Sequence, residues 1–454
     1  MKKLFYLTLA IVICCTPELA MGQNFSLVCS FNGTNGANPA ASLVQMPNGL
    51  LYGTTENGGV NGYGTMFQLT STGGLTSVGV FNLDGTLPAN PLAALLPIDD
   101  KTFYTTTVNG GPTNSTYHGG PGLIFEIKTN GTIATLAAFG TNALQSHPHG
   151  APVLGPDKNF YGTTRSGNAN SDGVVYQFMT NGILNTLYAP GTNNYSGYND
   201  GFDAPLIVGA DGKLYGTASG TGTNNLGWVF SITTSGKFTK LASFNSTNGA
   251  NPMAPLIQTG DGKFYGTTAN GGAYNLGTVF QMTTNGIITT LASFSGANGA
   301  NPQAALLVAS DGNFYGTTYS GGTSNLGTIF QMNPVGKPGR FISFTGTNGA
   351  NPSASLIQAQ DGRLYGTTFN GGISNNGVVF SVGLPPTLSI IGDGANVVLT
   401  WPASATGYLL EFTTNLLPAS VWRTNSMAPI IIGGQDVIIN QLTGTPLFYR
   451  LFSP

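Results

Sequence analysis

The chain has 454 residues, of which only 7% are charged, and its formal net charge is −2. It carries no basic patch, which excludes nucleic acid and anionic lipid as partners. Its 67 glycines could suggest disorder, but 41% of its residues are hydrophobic and stand in short regular runs, which indicates a packed β structure.

Residues 1–22 have the order of a secretory signal peptide. Lys2 and Lys3 precede an apolar run, LFYLTLAIVICC, and a small-residue segment, TPELAMGQ, follows it. The run is too short to serve as a final membrane anchor, and no later stretch reaches transmembrane length. We therefore predict a mature chain without a membrane span, secreted, at the cell surface or in the periplasm. It would keep one cysteine, Cys29, and no internal disulfide.

A repeat follows, marked by the motif YGTT and its variants. Its tyrosines are fifty residues apart in the last four copies and slightly further apart before them: Tyr52, Tyr104, Tyr161, Tyr215, Tyr265, Tyr315 and Tyr365. In the fifth copy, strands are predicted at 254–259, 263–268, 278–283 and 287–294. Asp-Gly and Asn-Gly pairs between them predict two-residue hairpin turns with positive φ at both central residues. A four-stranded meander that is buried on both faces by copies of itself is a propeller blade.

The ends of the repeat region predict a closed ring. The segment FSLVCSF, 25–31, matches the fourth strand of other copies, whereas the last copy stops after its third strand, VVFSV, at 378–382. The fold class is thus all-β, a seven-bladed β-propeller over residues 23–383 that is closed by an N-terminal strand. The linkers between blades and the long loops after the second strand should share one face, which is the expected working face.

Residues 384–454 predict a small β-sandwich. The segments NVVLTWPA, GYLLEFTTN, SVWRTN, DVIINQL and PLFYRLF have strand length and are separated by turn residues. Trp401, Tyr408, Leu410 and Tyr449 form a pattern that resembles a shortened fibronectin type III or immunoglobulin-like module.

Residues 32–380 resemble the GloVer tandem repeat of secreted bacterial proteins, often called choice-of-anchor proteins. The motifs that carry the resemblance are NGANP, DGxxYGTT, NGG and GTVFQM. The resemblance implies export and an extracellular or surface setting, and it implies no known activity.

Catalytic motifs are missing from the chain. There is no G-x-S-x-G, no H-E-x-x-H and no P-loop, so no catalytic residue and no cofactor are predicted. The three histidines, His118, His147 and His149, fall in neighbouring loops of the predicted working face. Three imidazoles can bind zinc or copper, but histidines without a ligand are common in surface loops.

Aromatic residues in irregular loops of blades 2 to 4 predict a ligand site. Rings beside carboxylates suit sugar recognition, although the same rings could instead fold onto the disc as packing. The predicted ligand-binding residues are Tyr117, Tyr195, Tyr198, Phe202, Asp200 and Asp203. The sequence favours a non-catalytic protein that recognises carbohydrate or another surface protein. A propeller enzyme acting on polysaccharide, hydrolase or lyase, and a purely structural spacer remain as alternatives.

Overall fold

The computed structural model describes most of the chain after residue 24. The described residues are 25–82, 88–111, 120–140, 146–166, 173–190, 201–220, 225–384, 386, 388–393, 395–403, 408–415, 421–433, 435–441 and 447–452. They form two compact units, one extending to Gly383 and one starting at Leu384. The predicted signal peptide lies outside them. No helix in this part of the chain has the length and hydrophobicity needed to cross a membrane.

The described residues of the first unit form seven four-stranded antiparallel sheets, one for each copy of the repeat. We number them blades 1 to 7, and strands one to four follow the hydrogen-bonding order within each blade. Blades 1 to 4 comprise Val44–Gln45, Leu51–Thr55, Thr65–Leu69 and Leu75–Val80; Leu96–Pro97, Thr102–Thr107, Leu123–Lys128 and Ile133–Ala138; Val153–Leu154, Phe160–Thr163, Val175–Phe178 and Leu184–Tyr188; Ile207–Val208, Leu214–Ala218, Trp228–Ile232 and Phe238–Ser243. Blades 5 to 7 comprise Ile257–Gln258, Phe264–Thr268, Thr278–Met282 and Ile288–Ser293; Leu307–Val308, Phe314–Thr318, Thr328–Met332 and Pro338–Ser343; Ile357–Gln358, Leu364–Thr368, Val378–Val382 and Phe25–Ser30. A two-stranded ribbon pairs Pro88–Ala89 with Asn109–Gly110.

The ring closes as the sequence predicts. Phe25–Ser30 pairs antiparallel with Val378–Val382, so the N-terminal strand becomes strand four of blade 7. Blades 7 and 1 are also joined at strand one, where the backbone N–H of Gln360 donates to the side-chain carbonyl of Gln45 at 2.7 Å. The predicted all-β ring with an exchanged strand is confirmed.

Strand one is shorter than predicted. In blade 5 it comprises only Ile257–Gln258, whereas the sequence suggested 254–259. The carbonyl of Ala254 accepts a hydrogen bond from the Thr217 hydroxyl of blade 4, and Pro255 has no N–H to donate. These backbone groups therefore join neighbouring blades and do not extend the sheet.

The tight turns have a different geometry from the predicted one. In blade 6 only Gly312 of the Asp311-Gly312 pair has positive φ, 76°, and its N–H donates to the carbonyl of Ala309 at 2.9 Å. Asp311 accepts a bond from the backbone N–H of Asn313 at 3.0 Å and one from the Tyr315 hydroxyl at 2.7 Å. The aspartate thus serves the turn and anchors the repeat tyrosine.

The threonines of YGTT also have structural tasks. The hydroxyl of Thr317 donates to the carbonyl of Ala354 in the next blade at 3.3 Å. The hydroxyl of Thr318 lies 2.8 Å from that of Thr328, and both side chains are buried. Because the repeated residues are occupied in holding the ring together, a specific function must rest on residues that differ between copies.

The C-terminal unit consists of two sheets. The first has the order Ser389–Asp393, Asn396–Pro402, Gln435–Gln441, Ile430–Ile432, and the second has the order Arg423–Thr424, Leu409–Thr413, Phe448–Phe452. Trp401 and Leu410 lie in one buried cluster, with Tyr449 packed against it. The resemblance to a fibronectin type III or immunoglobulin-like module stays a prediction.

Cys29 lies on the closing strand and should report on ring opening. Burial raises the pKa of its thiol to about 11. At about pH 8 the native thiol should therefore react with iodoacetamide about a hundred times more slowly than an unfolded cysteine, because only the thiolate attacks. Peptide mass mapping of the Cys29 peptide, with and without urea, measures both rates. Equal rates in the two conditions would contradict this burial.

Candidate functional site

The linkers and the loops after strand two meet on one face, as predicted. Ala250 of a linker forms a β-bridge with Asn270 of a loop, and Ala300 pairs with Ser320 in the same way in the next blade. We name this surface the loop face. The opposite surface, which carries the tight turns, is the turn face.

Two positions of the repeat recur in every blade on the loop face. The linker position is occupied by Asn38, Asn90, His147, Gly201, Asn251, Asn301 and Asn351. The exit position, just after strand two, is occupied by Glu56, Val108, Arg165, Ser219, Ala269, Tyr319 and Phe369. In all seven blades the exit N–H donates to the linker carbonyl of the same blade, at distances from 3.0 to 3.4 Å.

Asparagine side chains join consecutive blades. The Asn301 amide donates to the exit carbonyl of Ala269 in the preceding blade at 2.9 Å, and Asn38 donates to that of Phe369 at 3.0 Å across the closure. The linker asparagine has positive φ in five blades, for example 54° at Asn301, a conformation that asparagine tolerates better than most residues. The asparagine therefore cross-links neighbouring blades wherever it is kept.

Blades 3 and 4 depart from this pattern. The linker position holds His147 in blade 3 and Gly201 in blade 4, so neither blade has the bridging asparagine. Two residues further on, where blades 5 and 6 have Met253 and Gln303, these blades have His149 and Asp203. The exit position is occupied by the charged Arg165 in blade 3 and by the hydroxyl residue Ser219 in blade 4.

These substitutions form one polar cluster at the junction of blades 3 and 4. The Ser219 hydroxyl donates to Oδ2 of Asp203 at 2.6 Å. Nε of Arg165 lies 3.5 Å from Oδ1 of the same carboxylate, an ion-pair contact longer than a hydrogen bond. The Asp203 side chain is 10% exposed and that of Arg165 47%. A buried carboxylate thus holds a guanidinium that faces solvent.

The histidines of the cluster are held neutral. Burial lowers the pKa of His149, the Arg165 charge and His147 lower it further, and the Asp203 charge opposes them. Burial and the Arg165 charge lower the pKa of His147, whose Nδ1 lies 3.0 Å from the Ser166 hydroxyl. Arg165 is therefore the cation that the cluster presents at neutral pH.

The polar cluster combines a hydroxyl donor, a carboxylate acceptor and a guanidinium. The Ser219 hydroxyl donates to the carboxylate of Asp203, which also faces Arg165. Within the described ranges no group of three His, Cys, Asp or Glu side chains is placed to hold a metal ion. The predicted metal ligand His118 lies outside those ranges. The cluster therefore places the N–H donors of the Arg165 guanidinium beside the acceptor oxygens of the Asp203 carboxylate.

The sequence-predicted site is only partly covered by the structure. Tyr117, Tyr195, Tyr198 and Asp200 lie outside the described residues. Asp203 lies on the loop face, as predicted. The prediction of an exposed ring at Phe202 is wrong: its side chain is fully buried, with its ring 5.3 Å from that of Phe230.

Alignment of the repeats explains this error and locates the missed residues. The segment GFDAP aligns with NPMAP, which puts Phe202 in the position of the linker proline that packs against the preceding blade. The same alignment puts Arg165 and Ser219 where blade 5 has Ala269. A charged residue at a position that tolerates alanine was the available signal.

A family model matches much of the chain. The Gloeobacter/Verrucomicrobia repeat matches residues 111–307 and 203–393, which together cover more than half of the chain. No curated protein matches it.

Solved structures show distant similarity. A putative 6-phosphogluconolactonase from Bacteroides uniformis is 14% identical over 88% of this chain and 98% of its own, with a TM-score of 0.46. A Mycobacterium tuberculosis puromycin-hydrolyzing peptidase is 10% identical over 82% of this chain and 59% of its own, with a TM-score of 0.47. A gluconolactonase from Xanthomonas campestris is 14% identical over 58% of this chain and 79% of its own, with a TM-score of 0.36. None of these likenesses bears on the chemistry of this chain.

Proposed function

The chain belongs to the Gloeobacter/Verrucomicrobia repeat family, and from its loop-face geometry we propose that it is an exported, non-catalytic carbohydrate-binding protein. Export follows from the signal-peptide pattern of residues 1–22. The ligand contacts the loop face at the junction of blades 3 and 4, with Arg165 as the contacting residue and Asp203 as the positioning residue.

The orientation of the Arg165 guanidinium is the observation that carries this proposal. Asp203 is held by Ser219 from one side and faces Nε of Arg165 from the other, and no hydrogen bond joins the outer nitrogens of the guanidinium to another described residue. The guanidinium carries only N–H donors, and the hydroxyl oxygens of a sugar can accept hydrogen bonds from them. The neighbouring carboxylate compensates the charge of Arg165, which favours a neutral hydroxyl-rich ligand over an anion.

Replacing Arg165 with Gln should weaken binding about tenfold or more, because a hydrogen bond to a charged group contributes about 1.5–3 kcal/mol. The measurement is isothermal titration calorimetry with cellohexaose, xylohexaose and mannohexaose. Lys213→Gln is the matched control. Its side chain is also 47% exposed and also pairs with an aspartate, Asp211, but it lies on the turn face.

Three results would overturn the proposal. The native protein could bind none of the three hexasaccharides, Lys213→Gln could weaken binding as much as Arg165→Gln, or the protein could capture a surface protein through the intact loop face and no glycan. A protein that binds nothing on this face would be the structural spacer.

A second candidate, an extracellular enzyme acting on polysaccharide, is favoured by one residue. Glu56 occupies the exit position of blade 1, and partial burial raises the pKa of its carboxyl, as a general acid requires. Incubation of the same hexasaccharides with the protein and with Glu56→Gln, followed by chromatography, tests it. Products that appear with the native protein and not with the variant would establish catalysis.

A further inference from the structure

The exit residue differs between three blades that are otherwise nearly the same, which shows what the fold requires at this position. Blades 5, 6 and 7 are nearly identical in sequence, and their exit N–H groups donate to the linker carbonyls at 3.0, 3.1 and 3.1 Å. Yet the exit residue is Ala269 in blade 5, Tyr319 in blade 6 and Phe369 in blade 7. Since alanine is sufficient for this backbone geometry, the fold does not require the two aromatic rings.

Neither ring is among the buried hydrophobic side chains of the described residues. Both side chains are half-buried. As far as the structure describes them, the hydrophobic clusters between blades 5 and 6 and between blades 7 and 1 include neither Tyr319 nor Phe369. Tyr319 and Phe369 each keep a partly exposed surface on the loop face, which a ligand can contact.

The position of the rings relative to Arg165 follows from the blade order. Blades 6 and 7 are each three blades away from blade 3, the largest separation in a closed ring of seven. In every blade the exit residue at the end of strand two is hydrogen-bonded to the linker of the same blade. Strand four, for example Phe238–Ser243, is the most exposed strand of its blade and is therefore the outer one. Strand one is the inner strand, and the residues beside it contact the neighbouring blades. Because the exit positions follow strand two, they surround the inner part of the loop face.

We infer that Tyr319 and Phe369 form a stacking subsite for a sugar ring, across the loop face from Arg165, so that the ligand is an oligosaccharide that bridges both. This inference rests on the proposed function and specifies its ligand. One sugar donates and accepts hydrogen bonds at Arg165 and Asp203. Another places the C–H face of its ring against the negative faces of the aromatic rings. A monosaccharide reaches only one of the two subsites.

The test compares ligand lengths. Titration calorimetry with glucose, xylose and mannose and with cellohexaose, xylohexaose and mannohexaose is performed on the native protein and on Tyr319→Ala/Phe369→Ala, which reproduces the Ala269 of blade 5. The double variant should lose about tenfold or more in affinity for the hexasaccharide that binds. The melting temperature should not change. The matched control is Tyr274→Ala, because Tyr274 lies in a loop after strand two but at neither the linker nor the exit position, and its side chain is 63% exposed.

The outcomes separate this inference from the proposed function. If no hexasaccharide binds the native protein, both fail. If a hexasaccharide binds and Arg165→Gln weakens it while the double variant does not, the stacking subsite alone is refuted. The same holds if the monosaccharide binds as tightly as its hexasaccharide, or if the double variant unfolds. Tyr319→Phe retains a ring and should keep the native affinity, so a loss in this variant would also refute stacking.

Discussion

Deleting residues 25–30 is expected to abolish cooperative folding of the ring. The deletion removes strand four of blade 7, whose residues pair with Val378–Val382, a strand that is buried along its whole length. It also removes Phe25, whose ring packs against Phe380 at 5.7 Å and against Phe344 of blade 6 at 6.2 Å. Lost hydrogen bonds and newly exposed apolar side chains together cost on the order of 10 kcal/mol, which is the whole stability of a typical domain.

Circular dichroism melting and size-exclusion chromatography measure this effect. We expect no cooperative transition and aggregation through the unpaired strand edge. The control is Leu27→Ser, which changes an exposed side chain of the same strand, 43% exposed, and keeps its backbone pairing. A deletion variant that melts like the native protein would show that strand exchange does not hold the ring.

Replacing Gly277 with Ala is expected to destabilise the ring by about 3 kcal/mol. Its φ is 103°, and an added Cβ would lie 2.4 Å from the carbonyl oxygen of Thr268 and 2.6 Å from Cδ of Pro302. Neither neighbour is the end of a flexible side chain, so the backbone itself must move. Pro302 belongs to the linker of the next blade, and the clash therefore opens an interface between blades.

The matched control is Gly262→Ala on the turn face. Gly262 also has positive φ, 79°, but an added Cβ meets no atom within 4 Å. This change should cost only the backbone strain of a left-handed alanine, about 1 kcal/mol. The difference of about 2 kcal/mol between the two variants, measured by urea unfolding, isolates the steric term. Equal losses would mean that the glycine is kept for its φ alone.

The repeat made much of the fold predictable. Strand order, ring closure and the separation of the two faces followed from apolar runs, turn residues and an unmatched strand such as Phe25–Ser30. The length of strand one and the geometry of the Asp-Gly turns did not. Both depend on hydrogen bonds to residues that are distant in sequence or to side chains such as Tyr315, which no local pattern encodes.

The candidate site was less predictable. The sequence predicted a site over blades 2 to 4, and His147, His149 and Asp203, which interrupt the repeat, lie at the junction of blades 3 and 4 that we propose as the site. It missed Arg165, which lies 38 positions before Asp203 in the sequence and is brought to it by the packing of blade 3 on blade 4. It also presented Phe202 as an exposed ring, because exposure is a property of the assembled blades.

The sequence by itself therefore determined the blade as a unit, since a fifty-residue period of short apolar runs can bury both faces of its sheets only against copies of itself. It also determined closure of the ring, since one strand is spare at the start of the repeats and one is missing at the end. Only the tertiary structure decided which variable side chains meet. Linker and exit positions are separated by about one strand pair along the chain, and neighbouring blades place them in contact. Whether a side chain such as Phe202 or Phe369 is buried or presented depends on the surface of the adjoining blade, because burial is set by what packs against a residue.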